Sequence, residues 1–231
     1  MWLPDALSPA DAENMIHQIG DITVEVGYVE TKKVQGNFAP VGNEIGWDRV
    51  TLQNSFPNLG IITSLQTMNN ETNPVPTTIS SPWITPTVKV VNDNQFDVTL
   101  DMSETATGVV STTERVAYIA FSCGQTTTFT DNNGTTIKAE TKKMTNIVGW
   151  DNGGTNVSYS NTYSSTPLSI ASINSRKSTE GGWIRYDTTL TSASQINLKI
   201  DHDSTQNIER KHTAEDAAML TISGLFNLKI I

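Results

Sequence analysis

Phe96-Asp97-Val98-Thr99-Leu100-Asp101 alternates apolar and polar residues without a fault, and Ile196-Asn197-Leu198-Lys199-Ile200-Asp201 does the same one hundred residues later. A period of two belongs to a strand with one buried face, so each stretch reads as a half-buried β-strand. The same period extends outward from both. From Ile22 onward, Thr-rich and β-branched runs are separated by clusters of Gly, Pro, Asn and Asp every 8 to 15 residues, which is an all-β pattern. Composition agrees with it. The chain holds 33 Thr, 20 Ser and 20 Asn but only 17% charged residues, so its surface is one of hydroxyls and amides. Hydrophobic residues at 36% imply thin cores, as in a sandwich.

The two matching strands are the first sign of a duplication. Glu30-Thr31-Lys32-Lys33 recurs as Glu140-Thr141-Lys142-Lys143, and Gly46-Trp47-Asp48 as Gly149-Trp150-Asp151. Val50 to Phe56 matches Val157 to Tyr163, Trp83-Ile84 matches Trp183-Ile184, Gln95 matches Gln195, and Thr113-Glu114 lines up with Ala214-Glu215. The order is conserved while the offsets drift between 100 and 110, as loop insertions would cause. This predicts two tandem antiparallel β-sandwich modules over residues 22–124 and 125–231, behind an N-terminal arm over residues 1–21. The boundary falls near Cys123 to Asn133, although Asp131 to Gly134 reads equally as a hairpin tip inside the second module. In the arm, Ser8 as N-cap, Pro9 at the first helical position and Asp11 and Glu13 in the first turn predict a short helix to about Ile19, ended by Gly20.

With the residues laid out this way, the first module resembles the H-type lectin domain, a six-stranded antiparallel β-sandwich family. The similar stretches are Val34-Gln35-Gly36, Gly46-Trp47-Asp48-Arg49-Val50, Phe56, Ile61 to Leu65, Val88 to Val90, Phe96-Asp97-Val98 and Val116 to Phe121. The second module is similar through Gly149-Trp150, Pro167 to Ile170, Ile196 to Ile200 and Ala217 to Ile222. The resemblance implies a non-enzymatic domain that oligomerises and binds galactose-type sugars in shallow sites. In module one, Asp48-Arg49-Val50 passes straight into a strand where the family has a loop, so the standard site is missing there. In module two the corresponding loop, Asp151 to Asn156, is long and polar, and the family's aromatic-His pair falls near Asp201-His202-Asp203 with only the His kept.

Sugar sites combine an aromatic face with side chains that bond vicinal hydroxyls, and Trp150, Asp151, Asn156, His202 and Asp203 offer those types. The bland reading makes Trp47 and Trp150 sandwich-core plugs beside tight Gly turns, and the acids near His202 solvated turn residues. Asp201, Asp203, Asn207 and Glu209 gather oxygen donors that suit calcium, but the Gly and final Glu of an EF-hand loop are missing, and a solvated hairpin loop accounts for the same residues. No other cofactor is implied.

Several function classes are excluded or demoted. A net charge of −9 disfavours a phosphate backbone, so nucleic acid is not the expected partner. The longest apolar runs, Val116 to Phe121 and Met219 to Ile222, fall far short of the ~18–20 residues of a membrane helix, so no membrane insertion is expected. The start, Met-Trp-Leu-Pro-Asp, has neither a basic nor an apolar signal region. Cys123 is the only cysteine and reads as a small buried hydrophobe at a strand end. Nucleophile-elbow, zinc-protease and phosphate-loop motifs are absent, and His212 with Glu215 is at most an ordinary ion pair, so an enzyme is not expected. The sequence therefore points to a multivalent homo-oligomer that binds glycans on a cell surface, an adhesin or a phage tail-fibre or receptor-binding component, extracellular or in a virion. The competing reading is a structural subunit of an extracellular filament, sheath or virion.

Overall fold

Ile19 and Ile22 sit opposite each other across Gly20-Asp21, and this pair opens the fold as a two-residue hairpin. Gly20 supplies the positive φ (60°) that the first central residue of such a turn needs. The structure, a computed structural model, describes residues 15–35, 44–70, 84–102, 109–202 and 209–225. The strands run in chain order β1 (Met15–Ile19), β2 (Ile22–Thr31), β3 (Lys33–Val34), β4 (Glu44–Ile45), β5 (Asp48–Thr51), β6 (Leu59–Leu65), β7 (Ile84–Asn92) and β8 (Gln95–Met102). They continue with β9 (Glu114–Ser122), β10 (Thr126–Thr130), β11 (Thr136–Ile147), β12 (Thr155–Ser158), β13 (Leu168–Ile173), β14 (Trp183–Tyr186), β15 (Gln195–Asp201) and β16 (Glu215–Ile222). Among the described residues the helical element is a single 3₁₀ turn, Trp150–Asn152. No helix among them is long and apolar enough to cross a membrane.

The all-β expectation is met, and the helical arm is not. Met15–Ile19, the end of the predicted helix, is a strand paired with β2, while Ser8, Pro9, Asp11 and Glu13 lie outside the described residues. Gly20 explains the difference, because a glycine with positive φ ends a helix or turns a hairpin equally well. The neighbouring strand β2 decides for the hairpin. Asp131 to Gly134 is likewise a hairpin tip, since β10 pairs with β11 across it and the Asp131 carboxylate accepts the Asn133 and Thr135 N–H groups at 2.9 and 2.8 Å.

Two sheets carry each half of the chain. In the first, the order β1-β2-β9-β6 faces a sheet in which β8 lies between β7 and the pair β3 and β5, with β4 outermost on β3. In the second, the order is β10-β11-β16-β13 opposite β12-β15-β14. Among the described strands pairing is antiparallel except where β3 meets β4 and β8, and an isolated parallel bridge joins Gly149 to Ile200. The alternating strands β8 and β15 occupy the same place in the two orders. Their inward residues, Phe96, Val98 and Leu100 in one half and Ile196, Leu198 and Ile200 in the other, belong to separate buried clusters. A third cluster, with Ile22, Val24, Phe121, Ala139, Ala218 and Leu220, lies where β2 and β9 of one half meet β11 and β16 of the other. Burying such side chains contributes about 1.5–3 kcal/mol each for the large aliphatics.

Buried carboxylates repeat with the strands. Glu25 accepts the N–H groups of Gln53 and Asn54 at 3.0–3.2 Å, and Glu140 accepts those of Ser160 and Asn161 at 2.6–2.9 Å. Glu114 accepts the Asn70 N–H (2.8 Å), and Glu215 accepts those of Lys177 and Ser178 (2.7–3.0 Å). Each carboxylate ties down the loop after a strand with charge-assisted bonds that offset its desolvation. The counterpart of Glu140 by this geometry is Glu25, so the match of Glu30 to Glu140 in the linear comparison is five residues out. Ile84 and Ile184 are also out of step: Ile84 faces Met102, whereas Ile184 faces Ile200.

The seam between halves is polar as well as apolar. Asn174 acts as a one-residue strand against β6: its Oδ1 accepts the Ile61 N–H at 2.8 Å and its Nδ2 donates to the Ile61 carbonyl at 2.7 Å. Ser172 Oγ accepts the Thr63 N–H at 3.0 Å, and Arg176 forms an ion pair with the buried Asp101 at 2.8 Å.

Candidate functional site

The alternation that buries Ile196, Leu198 and Ile200 turns Asn197, Lys199 and Asp201 to the outer face of the β12-β15-β14 sheet. Opposite them in register stand Asn156, Arg185 and Trp183. Trp150 reaches this face from the 3₁₀ turn, with Lys199 Nζ 4.2 Å and the Arg210 guanidinium 4.3 Å from its ring centroid. Such cation–π contacts are worth ~0.5–2 kcal/mol each. Both cations have carboxylate partners. Lys199 meets Asp187 at 2.9 Å, and Asp201 receives Arg210 Nε and Nη2 at 2.7 and 2.6 Å and Arg185 Nε at 3.1 Å. Asp187 is held down to about 2, first by the Thr189 hydroxyl, then by Lys199 and the Thr189 N–H.

The loop ahead of β12 is built to lie flat on β15. Gly153 and Gly154 have φ of 88° and 73°, and a Cβ on Gly154 would stand 2.6 Å from Lys199 Cγ and 2.8 Å from the Leu198 carbonyl. Only glycine fits that approach. Asp151 and Asn152 pin the neighbouring segment, since Asp151 Oδ2 accepts the Arg210 N–H (2.8 Å) and Asn152 Oδ1 the His212 N–H (3.1 Å).

The structure thus brings Trp150, Asp151 and Asn156 to one surface, with Asp151 and Asn156 exposed. Asn156 Oδ1 accepts a bond from Asn197 at 2.8 Å. His202 is not on that surface: it is 4% exposed, with Nε2 at 2.9 Å from the Lys211 carbonyl and its ring 5.8 Å from that of His212. Asp203 and Asn207 lie outside the described residues. The core-plug reading of the two tryptophans is corrected. Trp47 and Trp150 belong to neither buried cluster; Trp47 lies under Lys89 at 4.5 Å just as Trp150 lies under Lys199. The calcium candidate Asp201 is neutralised by two guanidiniums, Glu209 is exposed, and no cluster of metal-ligating side chains occurs among the described residues. His212 and Glu215 are not a pair either, because Glu215 serves the 175–178 loop and His212 faces the Thr213 and Glu180 carbonyls at 2.8 and 3.3 Å. Cys123 is the buried thiol expected, its pKa pushed up to about 12 by desolvation.

Sequence reasoning missed Lys199, Arg185 and Arg210. The signal for the first was present, since Lys199 occupies an outward position of the deciding alternation. Also missed was a groove of about 740 Å³ beside β13 and β14, whose floor includes Ile62, Ile119, Ile196 and Leu198. None of the sugar-site candidates lines it. Comparison with protein-family models, with curated proteins and with solved structures finds no match to this chain.

Proposed function

We propose that this chain is a non-enzymatic glycan-binding and adhesion protein, built as two tandem H-type-lectin-like β-sandwich modules and acting as a multivalent homo-oligomer on a cell surface. The observation that carries this reading is the inserted loop of the second half. Where the first half runs from Gly46-Trp47 directly into β5, the second half places the 3₁₀ turn and two glycines before β12 and so presents Asp151, Asn152 and Asn156 as exposed acceptors and donors beside Trp150. Vicinal hydroxyls need such paired groups to replace water. Individual contacts of this kind are weak, and linking several copies raises avidity by ~10²–10⁴. The buried carboxylates Asp101 and Asp201 are engaged by arginines and Glu140 and Glu215 by backbone N–H groups, which suits scaffolding rather than acid–base chemistry.

A second reading has its own observation. The Trp150 ring already carries two cations and His202 is buried, which favours a structural subunit of an extracellular filament, sheath or virion in which this face is an assembly surface. A glycan array with calcium and with chelator, run beside a mass determination in solution, separates the two. Binding to galactose-type sugars that is lost in Asp151→Ala and Asn156→Ala supports the lectin reading. No binding by the protein, together with open-ended polymers, supports the structural one and overturns the first.

A further inference from the structure

We propose that the groove beside β13 and β14 is a strand-acceptor site, which takes an extended segment of another polypeptide that is apolar at every second residue and carries one carboxylate. This goes beyond the glycan reading and rests on different residues. The first half shows what the second lacks. There β7 follows β8 to the hairpin, with Val88 opposite Val98, Val90 opposite Phe96, and Val88 fully buried. In the second half β14 stops at Tyr186, opposite Leu198, and Tyr186 is 50% exposed. Past Asp187 the chain turns out of the sheet: the Leu190 N–H and the Thr191 hydroxyl both donate to the Asp187 carbonyl, at 3.2 and 2.7 Å. The position corresponding to Val90 is therefore left without a strand residue, and Ile196 and Leu198 of the core reach the groove.

The wall of the groove is a free strand edge. Among the described residues β13 pairs with β16 alone, and the Asn174 N–H donates to the Asp216 carbonyl at 2.7 Å. From that bond the antiparallel alternation turns the peptide groups of Ser172, Ile170 and Leu168 toward β16 and those of Ser169 and Ala171 to the open side. Among the described residues, Ser169 and Ala171 have no backbone partner there. The facing edge of β6 is plugged at Ile61 and Thr63 by Asn174 and Ser172, and the plug ends there. An apolar floor alone would accept an acyl chain, but a row of peptide groups is matched by another backbone, whose alternate side chains fill the floor. Charge complementarity sets the last feature. Among the described residues Arg185 is the one charged side chain that lines the groove; its Nε meets Asp201 at 3.1 Å, but Arg210 shares that carboxylate, so the pair of guanidiniums leaves one positive charge over, and the 56% exposed Arg185 presents it to a carboxylate of the occupant.

The test uses the full chain, immobilised, against a displayed library of random octapeptides. The expected result is enrichment of sequences that alternate apolar residues and contain Asp or Glu. A synthetic copy of the best sequence loses at least about tenfold in affinity against Ile170→Asp, against Ser64→Trp, and when its alternate amides are N-methylated, because the edge bonds are lost. Ile170 is 49% exposed, and an unchanged thermal melt of both variants shows that the groove and not the fold was altered. No enrichment above the Ile170→Asp protein overturns the proposal. So does equal binding of the N-methylated peptide, or dodecanoate binding with no peptide selected, either of which makes the groove a purely apolar pocket.

Discussion

Replacing Asn174 by Ala removes the side chain that stands in for a strand along β6. The carboxamide oxygen accepts the Ile61 N–H at 2.8 Å, and its nitrogen donates to the carbonyls of Ile61 (2.7 Å) and Ser172 (3.1 Å). Ile61 is fully buried and Asn174 is 6% exposed, so water does not readily replace these bonds. Orphaning a buried donor or acceptor costs about 1–3 kcal/mol, and two such groups on Ile61 give an expected loss of about 2–6 kcal/mol. For a chain of this size that corresponds to a fall in Tm of roughly 4–24 °C, at roughly 2–4 °C per kcal/mol. The measurement is urea unfolding with amide exchange followed residue by residue. Asn174→Ala should lower the midpoint, speed exchange at Ile61 and Thr63 first, and separate the transition into two steps as the seam loosens. A loss under ~1 kcal/mol with unchanged protection at Ile61 would refute the view that this side chain joins the halves.

Other outcomes follow from the same geometry. Glu215→Ala leaves the Lys177 and Ser178 N–H groups and the Ser175 hydroxyl without their acceptor, and a loss of about 3–5 kcal/mol in chemical denaturation is expected, against nearly none for the exposed Glu209→Ala. Arg176→Met strands the carboxylate of Asp101, 3% exposed at its side chain, and should destabilise by a similar amount of about 3–5 kcal/mol, while Asp101→Asn in the same background recovers part of it. Asp187 titrates at about 2, below the ordinary 3.8, so its contribution is fully present above 3.8 and is lost as pH falls toward 2; carboxyl NMR should show that midpoint, and Lys199→Met should raise it. Cys123, with its thiol pushed up to about 12, should resist maleimide at pH 8 in the folded chain and react at once in denaturant.

The sequence by itself determined that this is an all-β chain, because a period of two survives at Phe96 to Asp101 and at Ile196 to Asp201 whatever the partners are. It also revealed the repetition of Val50 to Phe56 at Val157 to Tyr163 and the polar insertion after Trp150. Local signals failed where one residue type serves two geometries. Gly20 ends a helix or turns a hairpin, and only the presence of β2 as a pairing partner for Met15–Ile19 selected the strand. Register was invisible for a related reason: Glu30 resembles Glu140 in its neighbours, but Glu25 holds the corresponding carboxylate, since burial and two backbone N–H groups define that site and not the adjacent lysines. The candidate surface divided in the same way. Asp151 and Asn156 lie on an exposed loop that composition could find, whereas the burial of His202, the cations over Trp150 and the open edge of β13 depend on which strands stop short and which segments cross, and these are set by contacts between residues far apart in the chain.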